Sequence, residues 1–242
     1  MSAPLVRRSP AHRAVVIANA ELTPRMRRVT IRSDAMTGLA PRPAQDIELL
    51  LREPTGRRVK RRYTIRSARP PTGELDLDVV LHGGISGGPG AQWAAGASAG
   101  DEVEFQGPRG KLELRSAPWH LLVGDESALP AIAAICEALP EGERAIAVVE
   151  IGGAEDELPL EAQVEYVHRG EQDAGGAGLL THAVDRLVLP GGPGRGYLMG
   201  ETRAMVALRA VLEAHGIEHD AIFVKGYWNL GRPDRLAGRR PE

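Results

Sequence analysis

The pattern of short apolar runs changes character once along this chain, near Pro118, and that change limits the fold more than any other feature. Before it, HRAVVIANA, RRVTIRS, QDIELLLRE, RRVKRRYTIR, ELDLDVVLHG and DEVEFQG are six β-rich runs bounded by Pro, Gly, Asn and Asp clusters, with little helix between them. Such a series predicts a closed or nearly closed antiparallel barrel. After it, WHLLVGDESALPAIAAICEALP passes from an apolar strand into a helix. RAIAVVEIG, VEYVHRG, the helix GLLTHAVDRLVLP, GYLMG, the helix ETRAMVALRAVLEAHG and the strand AIFVKGYW keep up the alternation. Strand and helix in turn predict a parallel sheet covered by helices. The expected class is therefore β + α/β, with an antiparallel β-barrel over 1–117 and a parallel-sheet α/β domain over 118–242.

A chain of 242 residues, 43% of them hydrophobic, is long enough for two cores. Its net charge of -2 gives no general attraction to nucleic acid. The single cysteine, Cys136, excludes an intramolecular disulfide and any multi-cysteine metal site, and a reducing compartment is expected. Cys136 itself lies in an apolar helix and is expected to be buried and inert. No apolar stretch follows the basic N-terminal residues, and there is no run of about 18 apolar residues. The expectation is a cytoplasmic, monomeric protein with no stable membrane insertion.

Charge is concentrated in one place. Between Arg52 and Arg69 there are eight cations and one anion, a local charge of +7 on a near-neutral chain. Within that window, Arg61, Tyr63 and Ile65 share one face of a strand, because side chains alternate with period 2. A guanidinium suits a phosphate, a tyrosine ring suits an aromatic ring system, and the hydroxyl of Thr64 can bond a ring nitrogen or carbonyl. That set points to FAD; a basic, solvated strand is the plain alternative.

Two further stretches bear on the choice. His82, Gly83, Gly88, Pro89, Gly90, Ala91 and Trp93 fall in a glycine-dense loop that leads into a short helix starting near Pro89. Free amides at such a start can grip a diphosphate, although a flexible hairpin loop accounts for the glycines equally well. Gly124, Asp125, Glu126 and Ser127 lie between an apolar strand and a helix, where open α/β sheets bind ligands. They lack the G-x-G-x-x-G fingerprint, so a dinucleotide there would sit differently, and capping of the helix by Asp125 or Ser127 is reason enough for those residues. Glu201 starts the next helix, and Tyr227 with Trp228 could stack on a cofactor or pack as core.

Taken in order, RRYTIR, LHGGISGGPGAQWA, GDEVEFQGPRG, GDESALPAI, GET and KGYWNLG resemble the siderophore-interacting protein family. These are FAD-dependent ferric-siderophore reductases related to the ferredoxin-NADP reductases. The resemblance spans nearly the whole chain. It implies an FAD-binding barrel followed by an NAD(P)-binding-like domain. Arg61 then resembles a phosphate contact, Tyr63 a ring-stacking residue and Thr64 a partner of the flavin ring. His82 and Gly83 match the family's His-Gly, and Gly88, Pro89, Gly90, Ala91 and Trp93 its pyrophosphate loop. Gly124, Asp125, Glu126, Ser127, Glu201, Tyr227 and Trp228 match its reductant-side motifs.

One departure is plain: the family's G-P-A-S-x-W has no serine here, where Ala91-Gln92 stands, and the loop carries extra glycines. The implied activity passes electrons from NADPH, NADH or reduced ferredoxin through FAD to an Fe(III) chelate, with no side chain acting as a catalytic acid or base. Arg57, Arg58, Lys60 and Lys225 are the candidate contacts for an anionic ferric siderophore. A flavin or ferredoxin reductase on the same fold, and a carrier of FAD or ferric chelate without turnover, are the alternatives.

Overall fold

The computed structural model describes residues 10–53, 55–82 and 87–231. Seven antiparallel strands form the first sheet: β1 (His12–Thr23), β2 (Met26–Arg32), β3 (Asp46–Arg52), β4 (Arg58–Thr64), β5 (Ser67–Arg69), β6 (Glu74–Val80) and β7 (Glu102–Arg109). Their order is β4-β3-β7-β1-β2-β6-β5. The sequence predicts six strands here; the seventh arises because RRVKRRYTIR ends as a strand at Thr64 and pairing resumes at Ser67. Between the two, the Ile65 amide donates to Gln45 O at 2.9 Å and the Arg66 amide to Asp76 O at 2.9 Å. One bond is made beside β3 and the other to β6, so the chain that leaves edge strand β4 ties the two sides of the sheet together as a barrel.

Strand alternation explains the interior. Ile47, Leu49 and Leu51 of β3 and Leu75, Leu77 and Val79 of β6 point inward and are buried. The helix α1 (Pro89–Gly96) adds Ala94 and the half-buried Trp93 to the same core. Between them stand three acids, Glu48, Asp76 and Asp78, and they too are sheltered, because cations lie across them. Lys60 Nζ reaches Glu48 Oε1 at 2.6 Å, Arg28 holds Asp78 through two bonds of 2.7 and 2.8 Å, and Arg69 donates to Asp76 at 2.9 and 3.0 Å. Burial alone would raise the Asp76 carboxyl; the bonds from Arg69, Ser67 and Thr30 outweigh it and hold the group well below the usual carboxylate range.

The second sheet is parallel, in the order β10-β9-β8-β11-β12. Its strands are β8 (Trp119–Asp125), β9 (Arg144–Ile151), β10 (Gln163–His168), β11 (Gly194–Glu201) and β12 (Ile222–Trp228). Helices α2 (Leu129–Cys136), α3 (Ala177–Asp185) and α4 (Thr202–Ala214) accompany them. Both faces are apolar, as a parallel sheet requires. On one, Leu121, Val123, Val148 and Leu198 pack with Leu180 and Leu208 of α3 and α4. On the other, Leu122, Val149 and Met199 pack with α2, with Met26 and Val80 of the first sheet and with Ala44 of the turn before β3, so the barrel and the parallel sheet share a core. Cys136 is buried there, and burial pushes its thiol up to about 12, which leaves it unreactive.

In chain order the five strands run 3-2-1-4-5, and the order reverses between β8 and β11. The strand ends at that reversal open the crevice in which such sheets bind ligands.

Candidate functional site

Two groups of side chains meet along the seam between the sheets. The first lies where β4 faces α1. Tyr63 stacks loosely on Trp93, with ring centroids 6.3 Å apart. Gly90 fits against Tyr63 so closely that a Cβ at Gly90 would overlap the phenol oxygen and lie 3.4 Å from Arg61 Cγ. Burial holds the Tyr63 phenol far above its ordinary range, so it is neutral throughout the physiological span. Gly88 caps α1 without a side chain and Pro89 occupies its first turn, so no cap side chain covers the start of the helix beside Arg61. A cleft of about 350 Å³ adjoins this turn, lined by Leu51, Arg52, Glu53, Pro89, Gln92 and Trp93. A guanidinium, uncapped helix amides and an aromatic ring bordering an open cleft suit an anionic, aromatic cofactor such as FAD.

The second group fills the crevice at the ends of β8, β11 and β12. Asp125 is buried and accepts from Ser127 N at 2.9 Å, Ser127 Oγ at 2.5 Å, Glu201 N at 2.8 Å and Trp228 Nε1 at 2.8 Å. Burial dominates its titration and raises it, although all four donors oppose that rise. Glu201 caps α4 through Ala204 N at 2.8 Å and also accepts from Leu230 N at 3.1 Å. Glu126 pairs with Arg169 at 2.8 Å, both of them buried, while Glu126 Oε2 and Arg169 Nη1 have no hydrogen-bond partner among the described residues. Gly124 has no room for a side chain, since a Cβ would lie 2.7 Å from that of Ala128.

The two groups touch. Thr64 Oγ1 lies 3.4 Å from Tyr227 OH, and His82 lies 6.2 Å from the Trp228 ring and 3.9 Å from Glu126 Oε1. Arg61, Tyr63, Gly88, Pro89, Gly90, Ala91 and Trp93 therefore form one cluster, and Gly124, Asp125, Glu126, Ser127, Glu201, Tyr227 and Trp228 another, with Thr64 and His82 between them. Gly83 lies outside the described residues.

The four candidate chelate contacts do not share one patch. Arg57 holds Glu53 at 2.7 Å in the β3–β4 hairpin, next to the exposed Arg58, and Lys60 covers Glu48. Lys225 lies on the seam, 2.9 Å from Asp46 Oδ2 and 5.0 Å above the Tyr227 ring. Burial alone would lower Lys225, but Tyr227 and Asp46 reverse the sign and hold the ammonium charged. The +7 of the sequence window is likewise not the charge of the surface. Lys60 and Arg62 reach Glu48, Arg66 reaches Glu137, and Arg69 reaches Glu74 and Asp76, so acids from outside the window neutralise much of it.

Sequence reasoning passed over Asp46, Arg169 and Glu150. Each is a single charge at a strand end with no local motif to mark it. Glu150, at the end of β9, is buried; burial first and the neighbouring Asp125 second raise its carboxyl to about 7. A raised carboxylate contributes stability below its unfolded pKa of about 4.3 and loses it as pH rises through the folded value. Glu150→Gln should therefore stabilise the protein at pH values above about 7 on the order of 2 kcal/mol, with little effect near pH 4. Melting curves at the two extremes check this, and an equal shift at both would show that the charge is not responsible.

With the geometry in place, comparison with known proteins is direct. The model of the siderophore-interacting FAD-binding domain matches residues 52–112, and that of the siderophore-interacting protein matches residues 117–231. The chain belongs to the siderophore-interacting protein family. This family member is 35% identical over 226 residues to an uncharacterized protein of Mycobacterium tuberculosis, covering 86% of this chain and 78% of that one. It is 33% identical over 187 residues to the ferric vibriobactin reductase ViuB of Vibrio cholerae, covering 74% of this chain and 68% of that one. The crystal structure of a siderophore utilization protein from T. fusca superposes with a TM-score of 0.85 at 29% identity, covering 93% of this chain and 95% of that one. An FAD-binding, reductase-like protein of the siderophore-interacting family is thus shown. Among the described residues, no helix is long and apolar enough to cross a membrane.

Proposed function

We propose that this chain is an FAD-dependent reductase of ferric siderophores that releases iron as Fe(II). The observation that carries the reading is the convergence of Arg61, Tyr63 and the uncapped first turn of α1, with Thr64 facing Tyr227 across the seam. The name of the Vibrio cholerae relative supports the same substrate class. FAD, when bound, supplies the redox chemistry, accepting electrons in pairs and giving them up singly.

The chain's own residues bind and orient. Arg61 and the amides of Gly90 and Ala91 would hold the diphosphate, Tyr63 the ring system, and the Thr64 hydroxyl would offer it a hydrogen bond. Tyr227 and Trp228 close the site from the second sheet and keep water from it. In this reading, residues 1–117 form the flavin half and 118–242 the donor half. No side chain need act as a general base, because iron is lost when a hard oxygen chelator holds Fe(II) less well than Fe(III). Arg57, Arg58 and Lys60 offer positive charge to an anionic chelate, and we assign Lys225 to holding the seam.

A reduced nicotinamide made in the cytoplasm is the donor we favour. A reduced ferredoxin is the second reading, and one observation speaks for it: the helix starts at the crevice are capped by the chain's own carboxylates, Asp125 and Glu201. A diphosphate would meet negative charge where it ordinarily finds free amides.

The test is anaerobic absorbance spectroscopy of the FAD-loaded protein with NADH, NADPH or reduced ferredoxin, followed by a ferric chelate and a ferrous trap. Flavin bands should bleach with one of the donors and return as the trap colours. Bleaching without return would assign a different acceptor, and a protein that takes up no FAD would overturn the reading altogether.

A further inference from the structure

The ends of β9 and β10 carry a charge pattern that the proposed reaction has not used. Glu150 occupies the end of the second strand in a 3-2-1-4-5 sheet. In dinucleotide-binding sheets an acid in that region bonds the 2′-hydroxyl of the adenosine ribose, whereas sites for the 2′-phosphorylated form place an arginine nearby. From Glu150 to Glu157 there are four carboxylates (Glu150, Glu155, Asp156 and Glu157) and no lysine or arginine.

Each cation that approaches this segment faces a carboxylate. Arg169, which follows β10, is held by Glu126 at 2.8 Å, and Arg25 of the first sheet lies 3.5 Å from Asp156. His168 pairs with Glu157 at 2.9 Å. The next loop adds two more acids, Glu171 and Asp173. Independently of the charge count, Glu126 Oε2 and Arg169 Nη1 are sheltered polar atoms without a hydrogen-bond partner among the described residues, which is what a crevice awaiting a polar ligand presents. Loop residue Gly175, whose amide serves Glu150, is wedged against Trp228 and Glu201, so Glu150 adjoins the crevice already described.

We infer that Glu150 and the acidic segment behind it make this crevice selective for a nicotinamide dinucleotide lacking a 2′-phosphate, NADH over NADPH. The inference rests on the proposal that a nicotinamide is the donor. The Glu150 carboxylate accepts from the ribose diol in place of the Gly175 amide. A 2′-phosphate would bring like charge against Glu150, and the guanidiniums nearest to it, those of Arg169 and Arg25, already face Glu126 and Asp156.

Binding, rather than turnover, tests this. The FAD-loaded full chain is titrated calorimetrically with ADP-ribose and with 2′-phospho-ADP-ribose, neither of which carries a nicotinamide. ADP-ribose should bind more tightly by about tenfold or more. Glu150→Gln should weaken ADP-ribose several-fold and narrow the gap, while melting curves show that the variant is folded. Equal or tighter binding of the 2′-phosphorylated probe overturns the inference, as does an unchanged preference in Glu150→Gln. So does the absence of ADP-ribose binding at millimolar concentration. In that last case, bleaching of the flavin by reduced ferredoxin in the spectroscopic test would leave the reductase reading standing, so the two failures are distinguishable.

Discussion

Replacing Lys225 with methionine is expected to destabilise the protein by about 3 kcal/mol, the lower end of the range for breaking a buried pair. The cost arises at Asp46, which is 5% exposed and whose Oδ1 already lacks a hydrogen-bond partner. Without the ammonium 2.9 Å away, the other oxygen is left charged and unpaired in the seam, and Ala44 O loses its bond of 3.2 Å. Solvent reaches 24% of the Lys225 side chain and limits the cost. Denaturant titration of Lys225→Met, of Asp46→Asn and of the double variant separates the contributions. The double variant should recover a large part of the loss, since no charge is then stranded. If Lys225→Met is as stable as the parent, Lys225 is not a seam residue, and its reading as a chelate contact regains weight.

The second large effect belongs to Gly90. An alanine there places its methyl group against the Tyr63 hydroxyl, and either the ring or the first turn of α1 must move. Overpacking of this kind costs about 1–3 kcal/mol. Because the displaced groups are the proposed cofactor contacts, the loss should appear in FAD affinity, as about a ten- to hundredfold weakening. Tyr63→Phe removes the colliding oxygen and keeps the ring. The pair Gly90→Ala with Tyr63→Phe should therefore retain more flavin than Gly90→Ala alone. Flavin-to-protein absorbance ratios after gel filtration provide the measurement. If the second substitution restores nothing, the contact between Gly90 and Tyr63 does not shape the site.

The parts of the molecule that follow local rules could be read without coordinates. The switch from strand-only to strand-helix grammar near Pro118 falls between the end of β7 at Arg109 and the start of β8 at Trp119. Pro89 does open a helix, as its fixed φ and missing amide favour, and Asp125 does cap the turn after β8. Helix α3 is shorter than its apolar pattern, stopping at Asp185, and Val188 in the remainder is almost wholly exposed. Pro190 shortly downstream was the available sign.

What escaped the sequence was pairing at long range. Lys60 and Arg62 sit over Glu48 because β3 and β4 are neighbours, and Arg66 meets Glu137 because the barrel packs on α2's end. A charge count within one window has no access to partners that folding brings from elsewhere. For the same reason Arg169 and Glu150, isolated in sequence, acquire their meaning only from the strand ends they share.

Asp125 has a mechanical consequence that its role as a cap does not convey. One carboxylate binds the amide at the end of β11, the indole at the end of β12 and the turn that follows its own strand β8. Three strand tips thus hang from a single buried atom group, and none can fray without stranding that charge. The rim of the crevice should accordingly open as one cooperative unit or stay shut, so that a ligand entering there works against the whole latch at once, with no stepwise peeling of its parts.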